Sequence, residues 1–102
     1  MRKNISITLD RERNLRLDLN AMAEFEDLTG KSLFTIGEAL QEARNLRALL
    51  YVAMKSAGEE VTLNDVGNMI GLHNFALVNE SITQLMKVSY GSSEESNEDG
   101  KK

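Results

Sequence analysis

The chain has 102 residues, a hydrophobic fraction of 41 %, no cysteine, no proline and a formal charge of −4. That length favours one domain with a modest core. The lack of cysteine excludes disulfides, thiolate metal sites and a cysteine nucleophile. An acidic balance supplies no broad positive field for non-specific nucleic-acid binding. No apolar run approaches the roughly 18 residues of a membrane span. In MRKNISITLD, Asp10 and Arg11 cut short any apolar leader, so a soluble protein of the cytoplasm is expected.

Residues 5–9 alternate, with Ile5, Ile7 and Leu9 against Ser6 and Thr8. Leu15, Leu17 and Leu19 repeat the pattern against Arg16 and Asp18. Period-two alternation predicts two strands with one buried face, a β-hairpin over about 3–19 with the polar DRERN as its loop. Two strands alone are marginal and need a helical cover. Asn20 is a candidate cap for a helix over 21–29 that carries Met22, Phe25 and Leu28, with Gly30 as its stop. Thr35 and Glu38 have capping-box spacing for a long helix over 36–56. Its apolar stripe runs from Ile36 and Leu40 to Met54, and Leu49, Tyr51 and Val52 broaden it until the last turns are apolar almost all round. That breadth predicts burial on more than one side, and in so small a chain points to a surface that meets another chain. Gly58 ends this helix, and Thr62 with Asp65 forms a second box for a helix over 63–70. Beyond Gly71, a fourth helix over 74–88 carries Phe75, Val78, Ile82 and Leu85. The fold class is α+β, a hairpin followed by four helices in one mainly helical domain over 1–90. Residues 91–102, GSSEESNEDGKK, hold four acids, two bases and no apolar side chain, the composition of a disordered, solvated tail.

No motif assembles catalytic chemistry. TGKS at 29–32 echoes the end of a phosphate loop, but the glycine required five residues before Gly30 is Phe25. His73 is the one histidine and has no Cys or second His to complete a zinc site. Glu24, Glu26 and Asp27 read as solvated carboxylates, and neither Ser32 nor Ser81 has a base beside it. A non-catalytic protein without metal or cofactor is expected. Arg44 and Arg47, three apart on the central helix, either reach a partner or extend to solvent over their own stems.

VTLNDVGNMIGLHNFALVNESI, residues 61–82, has the outline of a helix-turn-helix. A DNA reader needs base-reading and phosphate-anchoring side chains on its second helix. From Asn74 to Tyr90 the one basic residue is Lys87, although Asn74, Asn79, Ser81 and Gln84 have base-reading chemistry. A small DNA-binding regulator is therefore the alternative reading, and helix packing the main one.

The motif order adds a resemblance. A strand pair followed by NAMAEFEDLTGKSLF, LRALLYVAMK and TLNDVGNMIG resembles the small tail assembly chaperones of long-tailed bacteriophages and prophages, in their short form. The likeness spans roughly residues 15–86 and rests on Phe25, Leu28, Thr29, Gly30, Leu33 and Phe34, on Leu46 to Leu50, and on Thr62, Leu63, Val66, Gly67 and Ile70. It implies a non-catalytic protein of the infected cell, absent from the mature virion. Such a protein binds and solubilises the tape measure protein and helps recruit tail tube subunits, the latter through a longer, frameshifted form where one is made. It implies no nucleic acid or membrane partner, and a homo-oligomer is expected. The client-binding surface is expected at Leu46, Leu49, Leu50, Tyr51 and Met54, with Arg47 as its polar member.

Overall fold

The computed structural model describes residues 4–90. An antiparallel hairpin, β1 (Asn4–Thr8) and β2 (Glu12–Arg16), leads into helices α1 (Leu19–Thr29), α2 (Ala43–Ser56), α3 (Leu63–Met69) and α4 (Phe75–Tyr90). Short 3-10 turns at Gly37–Gln41 and Leu72–Asn74 precede α2 and α4. The architecture is the expected α+β one, a hairpin and four helices. The predicted tail, 91–102, lies outside the described residues.

The hairpin pairs Ile5 with Leu15 and Ile7 with Arg13. Ile7 and Leu15 are buried, while Asn4, Ser6, Thr8, Glu12 and Asn14 face solvent. The second strand begins three residues earlier than the leucine alternation predicts. DRERN is mostly strand, because Arg13 turns inward and is neutralised there. Arg13 Nη2 lies 2.8 Å from Asp10 Oδ2, and Nη1 lies 2.9 Å from Glu59 Oε1. Leu17 is still buried, but in the link, and Leu19 opens α1 with 73 % of its surface exposed. Asp18, not Asn20, caps α1: its carboxylate accepts from the Ala21 N–H at 2.9 Å. Gly30 ends that helix at φ +74°, as expected of a left-handed stop.

The long helix expected over 36–56 is broken. Gly37 sits at φ +55°, the segment after it forms a 3-10 turn, and Glu42 is extended before α2 begins. No side-chain cap forms at Ile36, so the Thr35–Glu38 box is not used. Asn45 ties the two pieces together, its Nδ2 donating to the Ala39 carbonyl at 2.8 Å. The Thr62–Asp65 box does form. Asp65 N–H donates to Thr62 Oγ1, and Thr62 N–H donates to Asp65 Oδ2, both at 3.0 Å.

Helix α2 is the axis of the molecule. It packs against α1, β2 and α3, while α4 closes beneath the hairpin, mainly under β1. Phe25, Leu15, Leu49, Leu50, Met54, Val66, Val78 and Leu85 are wholly enclosed. Each such side chain contributes about 1.5–3 kcal/mol through removal from water.

Candidate interaction groove

The apolar surplus of α2 is consumed within the chain. Leu46, Leu49, Leu50 and Met54 belong to the core, and of these four expected contact residues Leu46 alone also borders an open groove. Helices α1 and α3, strand β2 and the Gly37–Gln41 turn all pack around α2, and sequence periodicity does not reveal how many neighbours a helix has. Arg47 and Tyr51 do reach solvent, and with Arg44 and Lys55 they form one polar face of α2.

An open groove of about 900 Å³ lies at the N-terminal end of α2. Glu42, Ala43, Arg44, Leu46 and Arg47 form one wall; Gly67, Ile70, Gly71, Leu72 and Phe75 form the other. The second wall follows from local turn chemistry. Asn74 closes the turn between α3 and α4: Gly71 N–H donates to its Oδ1 at 2.9 Å, and its Nδ2 donates to the Met69 carbonyl at 3.0 Å. That closure leaves Leu72 95 % exposed at the rim. A methyl at Gly67 would sit 3.4 Å from Arg47 Cδ, an ordinary van der Waals distance, so the Arg47 side chain passes close to that residue. The Arg47 stem therefore lies across Gly67 while its charged end stays in water.

The charges around α2 fall into two sets. Lys55, at its far end, pairs with Glu24 at 2.9 Å and stands 4.9 Å above the Tyr51 ring, and the Glu24 hydrogen bond raises its pKa. Arg13 is held by Asp10 and Glu59, which raise its pKa against the opposing effect of burial. Arg44 and Arg47 form no ion pair among the described residues. The groove thus combines an apolar floor with two unclaimed guanidiniums on one helix face. Leu46 and Arg47 join it from the expected set. Leu72 and Phe75 were not legible as contacts, because one reads as turn and the other as packing stripe.

The remaining candidates are placed elsewhere. Glu26 and Asp27 are exposed on α1. His73 is exposed, and no group of three or more His, Cys, Asp or Glu among the described residues could hold a metal ion. In the helix-turn-helix outline, Asn74 is spent on the turn, Asn79 donates to the Phe75 carbonyl at 3.3 Å, and Ser81 is buried. Gln84 is the one exposed member of that set.

Comparison with protein-family models, curated proteins and solved structures finds no match to this chain.

Proposed function

We propose that the chain is a non-catalytic tail assembly chaperone that binds the tape measure protein, keeps it soluble and helps recruit tail tube subunits in the host cytoplasm. The observation that carries this reading is the groove, an open apolar cleft rimmed by the almost fully exposed Leu72. Apolar client segments would be buried there at roughly 25 cal/mol per Å². Contacts of that size are weak singly, and repetition along a long client would make them cumulative. Tube subunits competing for the same surface would release the chaperone. The resemblance carried by Phe25, Leu28, Thr29, Gly30, by Leu46 to Leu50 and by Thr62 to Ile70 supports the reading further. DNA reading has less support, because the turn and the α4 backbone occupy two of its base-reading candidates.

Co-expression tests the proposal. The tape measure protein should move from the insoluble to the soluble fraction and co-purify with this chain, and Leu72→Asp should reduce both effects. A client that stays insoluble and never co-purifies with the wild-type chain sinks the proposal. A salt-sensitive shift of operon DNA by the purified chain would favour the regulator instead.

A further inference from the structure

We infer that the groove selects acidic amphipathic helices, and that Arg44 and Arg47 are its specificity determinants. The inference names the client segment of the chaperone proposed above, and rests on that reading only for the segment's source. Three features lead to it. The floor, from Leu46, Ile70 and Phe75 with Leu72 at the rim, suits an apolar stripe laid along a helical groove. The two arginines stand three apart on α2, so both present charge on one side of that floor. Of the other cations around α2, Lys55 is matched by Glu24, Arg16 by Asp18, and Arg13 by Asp10 and Glu59. The groove is therefore a basic spot on an acidic chain. A segment with carboxylates spaced three or four apart beside leucine-like residues would satisfy both features at once.

The net charge of −4 opposes any acidic ligand, so distance decides the sign. At physiological salt the Debye length is about 8 Å. Acids farther away than that are largely screened, whereas a carboxylate touching Arg44 or Arg47 is not. Glu42 is the acid that lines the groove itself, and it lowers the local excess to one positive charge. Charge then serves selection more than raw affinity. Basic segments are rejected, neutral ones are held weakly, and acidic ones are preferred.

Three labelled synthetic helices with the same leucine stripe test this, with Glu, Gln or Lys flanking the stripe. Fluorescence anisotropy with the full chain should show the Glu peptide binding at least tenfold more tightly than the Gln peptide, and the Lys peptide weakest. The order should invert in the double variant R44E/R47E and flatten in R44A/R47A, with circular dichroism unchanged in both. Leu72→Asp should weaken all three peptides. Equal binding of the three overturns the inference, as does a Glu preference that survives both double variants. Absence of any binding also overturns it, as would follow if a second copy or the chain's own acidic end filled the groove. If the chain solubilises the tape measure protein while the peptides show no charge preference, the charge rule falls and the chaperone reading stands. The reverse pair of results removes the chaperone reading and leaves the groove's preference in place.

Discussion

The two ends of α2 are built from similar residues and put them to different uses. At the C-terminal end, Leu49, Leu50 and Met54 are wholly enclosed, and Lys55 is paired and stacked over Tyr51. At the N-terminal end, Leu46 is buried against an open groove, and Arg44 and Arg47 form no ion pair among the described residues. At one end the leucines are buried and the lysine is paired, whereas the other end keeps an apolar floor and two arginines open to solvent. One helix thus separates structural from available side chains by what packs around each turn, not by residue type.

Four experiments would break or sharpen that contrast. Leu50→Ala at the closed end should cost about 2–5 kcal/mol in urea unfolding, through lost transfer energy and a residual cavity. Arg13→Ala should cost about 2 kcal/mol, between the values for exposed and buried pairs, because it leaves Glu59 short of its main cation. A smaller destabilisation than at an ordinary surface position would show that the clasp is dispensable.

Acid should act on the same clasp. The Arg13 hydrogen bond holds Asp10 down at about 2, against an ordinary value of 3.8. Burial pushes Glu59 upward, but Arg13 and the Asn14 N–H outweigh it, so its pKa is also lowered. The Ala21 N–H is the largest cause that lowers Asp18. Carboxylates depressed in this way stabilise the fold above their unfolded values and lose that contribution as pH falls through the folded ones. Urea midpoints should therefore decline from about pH 5 to about pH 2, and less steeply in Arg13→Ala. Parallel declines in the two proteins would place the acid sensitivity elsewhere. At the open end, R44A/R47A should move stability by less than about 0.5 kcal/mol, since both side chains are exposed and in no ion pair among the described residues. A larger drop in the thermal midpoint would show that these arginines serve the fold.

Features set by a few neighbouring residues were legible in the sequence. The Thr62–Asp65 box, the left-handed stop at Gly30 and the stripe Val78, Ile82 and Leu85 all depend on local spacing, and all occur. The Thr35–Glu38 box has equally good spacing, yet Gly37 turns the chain to positive φ between the two residues. The leucine alternation at 15–19 placed β2 too late, because Arg13 sits inside with the help of Glu59, far along the chain, as well as the nearby Asp10. The expected contact surface erred for the same reason: whether Leu49 is core or contact depends on α1, β2 and α3 arriving together. Arg47 was recognisable as a polar exception in an apolar run, but Leu72 gains its exposure from the turn that Asn74 closes.

Glu59 has one further consequence. Its Oε2 accepts the Asn14 N–H at 3.1 Å while its Oε1 serves Arg13, so a single carboxylate plugs a hydrogen-bonding position along the outer margin of β2. Unplugged strand margins template the addition of foreign strands and seed precipitation. A chain with an open apolar groove at one end of α2 thus carries, beyond the other end, a carboxylate that occupies one position where a foreign strand would pair.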